Sequence, residues 1–244
     1  SRVHGGDVRL LVEYAKEKRV FVPVRAMPQR VILAFLSAED NNFYHHPGVD
    51  FLSVIRAALT NIKNLVRSKR PIGASTITQQ VAKNFLLNNE VSWRRKIKEA
   101  ILAFRIERAL SKDRILELYL NEIYLGFGSY GVAAAALNYF DKSLGELTIA
   151  ESAFLAALPK APNNYNPVYN LKAATGRRNW VIGRMLVDGA INKNQADGAK
   201  DTPLVIRQRS ATEYVTAEFF AEEVRRQLVN RYGEEKLYKG GLSV

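Results

Sequence analysis

Apolar residues in this chain of 244 residues recur mostly at intervals of three and four. In ILELYLNEIYL they include positions 115, 116, 119, 120 and 123, and from Phe51 to Val66 they include 51, 52, 54, 55, 58, 59, 62, 65 and 66. That spacing marks one face of a helix. No proline occurs from Ile72 through Leu158, whereas Pro23, Pro28, Pro47 and Pro71 precede that stretch and Pro159, Pro162 and Pro167 follow it. A run so long without helix breakers, rich in Ala, Leu, Lys and Glu, predicts consecutive helices. Their starts are marked as well. Ser92 caps a helix through about Leu110, Ser111 caps one through about Tyr124, and Thr148 with Glu151 makes a T-x-x-E capping box for ESAFLAAL. Strand signals are weak, and RVFVPV (19–24) and PLVIRQ (203–208) are the only short candidates. The pattern predicts a mainly α fold, with a central domain over 29–202, an N-terminal flank over 1–28 and a C-terminal flank or linker over 203–244.

With 47% hydrophobic residues the chain can bury a sizeable core as one main domain. Its 36 Lys and Arg against 24 Asp and Glu leave a net charge of +12, which points to a polyanionic partner: nucleic acid, an anionic membrane surface or a phosphate-bearing substrate. Nucleic acid is disfavoured, because base-reading elements are absent and the basic residues are not gathered on one helix face beside aromatics. The chain has no cysteine, which removes disulfides and thiolate metal sites. No run approaches the ~18 apolar residues of a spanning helix. SRVHGGDVRL is not a signal peptide, so any membrane anchor is expected outside this stretch.

One motif is set aside by its context. Gly126, Gly128 and Gly131 spell the dinucleotide fingerprint G-x-G-x-x-G, but that fingerprint needs a preceding strand, and ILELYLNEIYL has helical spacing. The glycines are expected to make a tight turn between helices. Four polar clusters remain. EDNNFYHHPG (39–48) sets Glu39 and Asp40 at the end of the apolar run VILAFL, just ahead of two histidines. GASTITQQVAKN (73–84) packs Ser75, Thr76, Gln79, Gln80, Lys83 and Asn84 around a helix N-terminus suited to an anion or a sugar. In WRRKIKEAILAFRIERAL (93–110), Arg95 and Lys96 stand four and three residues before Glu99, on one face. SKDRILELYLNEIYLG (111–126) carries Asn121 within an apolar face. Taken singly, each has a bland counterpart: a solvated helix end, an N-cap, a surface salt bridge, a turn-making Asn.

Together and in this order, the clusters closely resemble the peptidoglycan glycosyltransferase family (family 51 glycosyltransferases), the transglycosylase module of bifunctional class A penicillin-binding proteins and of their monofunctional relatives. The residues that carry the resemblance are Glu39, Asp40, Phe43, His46 and Gly48; Gly73, Ser75, Thr76, Gln79, Gln80, Lys83 and Asn84; Arg95, Lys96 and Glu99; Lys112 through Gly126; and Ala157 to Pro167. The resemblance implies a lysozyme-like α-helical large lobe and a smaller membrane-facing lobe. It also implies polymerisation of lipid II into β-1,4 glycan strands on the outer face of the bacterial plasma membrane, with release of undecaprenyl pyrophosphate. A lysozyme-like muramidase or lytic transglycosylase shares the fold and the catalytic Glu, but has no need of the Lys–Arg cluster. In the implied reaction Glu39 is the general base, with Asp40 beside it, and Arg95, Lys96 and Lys83 meet the leaving pyrophosphate. Glu99 either orients those cations or binds a divalent cation, magnesium or manganese, at the pyrophosphate. Phe43, His46, Ser75, Thr76, Gln79, Gln80, Asn84 and Asn121 are expected to bind substrate. A transpeptidase domain is expected beyond residues 213–244.

The helix predicted over 51–66, accompanied by Arg56, Lys63, Arg67, Lys69 and Arg70, has the character of an interfacial helix, with one apolar face and basic side chains for anionic headgroups. An ordinary core helix followed by a basic loop is the alternative.

Overall fold

The computed structural model describes residues 2–4, 10–13, 18–66, 75–86, 92–207 and 226–233. Among the described residues, nine helices carry the central part: α1 (Gln29–Glu39), α2 (Phe51–Val66), α3 (Ile77–Leu86), α4 (Trp93–Ala109), α5 (Lys112–Glu122), α6 (Val132–Phe140), α7 (Ile149–Ala157), α8 (Leu171–Val187) and α9 (Lys193–Asp201). The caps that set their starts are those expected from sequence. Ser92 Oγ accepts from the Arg95 N–H at 3.1 Å and Ser111 Oγ from the Arg114 N–H at 3.3 Å, while Thr148 and Glu151 bond reciprocally.

Strand is minimal. Among the described residues, β1 (Arg2–His4) pairs antiparallel with β2 (Leu10–Glu13), Val3 opposite Val12, and β3 (Lys18–Arg19) pairs parallel with β4 (Ser129–Tyr130). The two sequence candidates are corrected here. Of RVFVPV only Arg19 lies in a strand. Val22 exchanges its backbone bonds with the side-chain amide of Asn121 (2.8 and 2.9 Å) instead of a ladder, and Pro23, which has no N–H, leads into a short 3-10 turn over Val24–Ala26. Residues 203–207 form no strand; Arg207 donates one backbone bond to Tyr139, and Leu204 and Ile206 pack against the core. Gln208 lies outside the described residues. LLVE, too short to show a period, is a strand that the pattern does not predict.

The core is built where α1, α7 and α8 pack on one another and where α5 lies under α3. Val31, Ala34 and Phe35 of α1 are fully buried, as are Phe154 and Leu155 of α7 and Val181, Ile182 and Met185 of α8. Small residues at 133–136 let α6 approach closely, and Tyr139, Phe140 and Phe154 close the space with edge-to-face rings 5.3 and 5.8 Å apart. Burying α1 in this way fixes the direction of its C-terminal end, where Glu39 stands. Gly131, at φ +82°, makes the turn into α6; a Cβ there would collide with the Asn121 carbonyl, so the glycine motif serves the turn expected of it.

α2 stands apart. Its ring contact with the rest is Phe51 stacked on Phe104 of α4, centroids 6.2 Å apart, and Phe51, Leu52, Val54, Ile55 and Leu59 are all exposed. Among the described residues no helix is long and apolar enough to cross a membrane.

Candidate active site

The adjacent carboxylates at the end of α1 part company. Asp40 is the C-cap, at φ −162° and ψ 74°, and both carboxylates border one cleft, Glu39 half-buried and Asp40 buried. Both its oxygens lie 3.0 Å from His46 Nε2, and Oδ2 also accepts from the Ile77 N–H at 3.0 Å. The Gly48 N–H donates to His46 Nδ1 at 3.1 Å, so Nδ1 acts as acceptor and the Nε2 proton faces Asp40. Ile77 begins α3, so Asp40 caps that helix from outside it. Thr76 and Gln79 complete the cap: the Thr76 N–H donates to Gln79 Oε1 at 3.0 Å and the Gln79 N–H to Thr76 Oγ1 at 3.2 Å. The Thr76 hydroxyl donates to the Gly48 carbonyl at 2.5 Å. Gly48 itself, at φ +99°, lies where a Cβ would come within 3.0 Å of the Ala103 carbonyl. Asp40, His46, Thr76 and Gln79 thus fasten the 40–50 loop to the start of α3.

Glu39 is held by one turn of the same helix: Gln80 Nε2 donates to its Oε2 at 2.9 Å. Burial pushes the Glu39 carboxyl above its ordinary value of 4.5, the nearby Asp40 charge adds to the rise, and the Gln80 bond with the charges of Arg177 and Lys160 restrains it. The Tyr119 hydroxyl, fully buried and without a hydrogen-bonding partner among the described residues, is pushed well above the usual phenol range, chiefly by burial and further by both carboxylates.

Glu39 opens into a cleft of about 260 Å³. One wall is α2, through Ser53, Arg56 and Thr60; the other is α8, through Trp180 and Arg184. Ser75 and Thr76 close the end next to α3. Asp50 stands at the start of α2, where burial raises its carboxyl but the hydroxyl and N–H of Ser53 and the amide of Asn42 outweigh that and bring it below its ordinary value. Arg177 stacks on the Trp180 ring, 3.8 Å from its centroid, and Arg184 pairs with Asp188, which also accepts from Asn41.

The cationic cluster meets this cleft at Ser75. Lys96 Nζ donates to Ser75 Oγ at 2.7 Å and to Glu99 Oε2 at 2.8 Å, and Arg95 Nη1 donates to Glu99 Oε1 at 2.7 Å. Glu99 is only 2% exposed, with both oxygens engaged. Both Glu99 oxygens are thus engaged by cations, and among the described residues no group of three or more His, Cys, Asp and Glu could hold a metal ion by itself. Glu99 pairs with both cations.

Of the residues singled out in the sequence, the structure gathers Glu39, Asp40, Ser75 and Thr76 at the cleft, with Gln80 bonded to Glu39 and with Arg95, Lys96 and Glu99 joined to the cleft through Ser75, whereas His46 and Gln79 serve the fastening of the loop and do not line the cleft. Lys83 and Asn84 are exposed on α3. Phe43 is a core residue under the Lys112 ammonium, 4.5 Å from its ring centroid, and Asn121 is a buried tie to Val22 and to the Glu117 carbonyl; neither lines the cleft. Gly73 lies outside the described residues. Sequence reasoning missed Asp50, Ser53, Lys160, Arg177, Trp180 and Arg184. A signal existed for all of them but Lys160: D-x-x-S is an N-cap pattern, and Trp180 and Arg184 follow Arg177 by three and seven residues, the spacing of one helix face.

The model of the transglycosylase family matches residues 7–186. The whole chain aligns with penicillin-binding protein 1A of Rickettsia felis at 54% identity, of Haemophilus influenzae at 46% and of Aquifex aeolicus at 45%, covering 31%, 28% and 33% of those proteins. It therefore spans about a third of the length of these curated relatives. The crystal structure of penicillin-binding protein 1A from Haemophilus influenzae superposes on all of the chain with a TM-score of 0.59 at 32% identity, using 26% of that protein. A buried-edged glutamate held by a glutamine, with a carboxylate-bound pair of cations across a helix start, thus lies within the family's own segment, and the chain belongs to the transglycosylase family as a glycosyltransferase domain of the class A penicillin-binding protein type.

Proposed function

We propose that this chain polymerises lipid II, a disaccharide-peptide carried on undecaprenyl pyrophosphate, into β-1,4 glycan at the outer face of the bacterial plasma membrane. The observation that carries the reading is Glu39: a carboxylate raised by burial, held by Gln80 and open to the cleft that Lys96 borders through Ser75. The 4-hydroxyl of the acceptor sugar gives its proton to Glu39 as its oxygen attacks the anomeric carbon of the growing strand. The bond from that carbon to the pyrophosphate breaks, and its electron pair leaves on the phosphate oxygen. Arg95 and Lys96, fixed by Glu99, meet that charge, and exposed Lys83 can reach the same anion. Attack from the face opposite the leaving group inverts the anomeric centre. The apolar stripe of α2 rests on the lipid surface, and the longer protein supplies a transpeptidase domain.

A gel assay for glycan polymer from lipid II tests this. The wild type should lengthen glycan without cleaving it, and Glu39→Gln should reduce turnover by about 10² to 10⁴ with an unchanged circular-dichroism spectrum. Polymerisation near the wild-type rate by Glu39→Gln removes Glu39 from the chemistry, and soluble disaccharide released from preformed glycan would favour a muramidase instead.

A further inference from the structure

Trp180 is a large aromatic side chain in the cleft with no part in the chemistry above. It is 45% exposed and shares the cleft with Glu39 and Asp50. The Arg177 guanidinium stacks over its ring at 3.8 Å, and the charge of that same Arg177 acts on the Glu39 carboxyl, so one cation links the indole to the base. The ring lines the cleft together with polar residues of α2. Ser53, Arg56, Ala57 and Thr60 line the cleft, whereas Leu52, Ile55 and Leu59 form the exposed apolar stripe. Trp180 therefore faces the cleft and not the surface that Leu52 offers to lipid.

An indole beside polar groups that converge on a reacting carboxylate suits a ligand with one apolar face and hydroxyls around its edge. A pyranose ring has that form: its axial C–H bonds pack on the aromatic face while its hydroxyls reach side chains around it. The sugar nearest the base is the one that loses a proton. We propose that Trp180 is the stacking platform for the acceptor sugar, holding its ring beside Glu39. This rests on the glycosyl-transfer reading above and adds a binding residue to it.

Steady-state polymerisation of lipid II by wild type, Trp180→Phe and Trp180→Ala tests the platform, with thermal melting to confirm folding. Trp180→Ala should raise KM by about tenfold with a much smaller change in kcat, as expected for loss of a binding contact. Trp180→Phe should recover most of that loss, and the acid limb of the pH profile should not move. An unchanged KM in Trp180→Ala overturns the platform, and so does an acid limb that shifts, since the residue would then act through Arg177. The chain has two tryptophans, so Trp93→Phe combined with Glu39→Gln leaves Trp180 as the single reporter on a non-turning enzyme. Its emission should change saturably with lipid II. An equal change with undecaprenyl pyrophosphate, which has no sugar, or with lipid vesicles alone would show that the indole senses lipid and would overturn the proposal. Absence of any polymer from the wild type would instead remove the glycosyl-transfer reading itself.

Discussion

Glu39 and Asp40 are neighbours in sequence with opposite environments. Asp40 is satisfied by an imidazole N–H and a helix N-terminus, and Glu39 accepts from the Gln80 amide, so the same residue class serves a fastening role in one place and the proposed proton-accepting role in the other. The pair itself was legible in the sequence, as was its position at the end of an apolar helix. What sets the Glu39 carboxyl was not, because Lys160 and Arg177 arrive from distant parts of the chain. Arg177 draws the carboxyl down, so Arg177→Gln should let it rise and move the acid limb of kcat/KM to higher pH; a limb that stays put would remove Arg177 from the electrostatics of the base. The raised carboxyl also affects stability. The folded state holds this proton more tightly than the unfolded chain does, so its contribution is fully present below about 4.5 and is lost as pH rises through the higher folded value. Glu39→Gln resembles the protonated form. Its melting temperature should match the wild type in acid and exceed it at neutral pH.

At the scale of elements, the site is an arrangement of helix ends. α1 supplies its C-terminus, α3 its N-terminus, and α4 a face that meets the start of α3 through Lys96 and Ser75. Local rules predicted these starts and stops because caps are written within four residues of each other. They could not predict which cap closes from outside: Asp40 reaches Ile77, and Glu107 on α4 accepts from both Thr78 and Lys112, across joints that no local pattern encodes. Asn121 and Val22 show the same limit, since a helix amide takes the backbone bonds that RVFVPV would have given to a sheet. Glu99 holds Arg95 and Lys96 toward the cleft end of α4. Because leaving-group charge grows in the transition state, Lys96→Ala should lower kcat by about 10²-fold while changing KM far less. Glu99→Gln should act in the same direction by weakening the hold on both cations. If either substitution changed only KM, the cations would serve ground-state binding rather than departure of the pyrophosphate.

At the scale of the molecule, one half is tightly closed and the other presents apolar surface. α1, α7 and α8 bury Val31, Phe35, Phe154, Val181 and Met185 completely, yet α2 leaves Leu52 70% and Leu59 59% exposed, as are Ile97 and Ile101 on α4. The periodicity of α2 showed an apolar face but not what that face would meet; the structure shows that the core does not cover it. Arg67, Lys69 and Arg70, expected to accompany it, lie outside the described residues. A helix of this kind beside the cleft would hold Glu39 at the depth where a lipid-borne pyrophosphate leaves the membrane. Replacing Leu52, Ile55 and Leu59 together by Ser removes roughly 1.5–3 kcal/mol of burial per side chain if that stripe enters the bilayer boundary. The triple variant should stay folded, since none of the three belongs to the core, while losing both cosedimentation with phosphatidylglycerol vesicles and polymerisation of lipid II. With the wild type, added salt should weaken vesicle binding without abolishing it, because the basic residues contribute a screened attraction and the apolar stripe one that is not screened. A folded triple variant with wild-type vesicle affinity and wild-type polymerisation would sink the idea that α2 is the seat of the enzyme on the membrane.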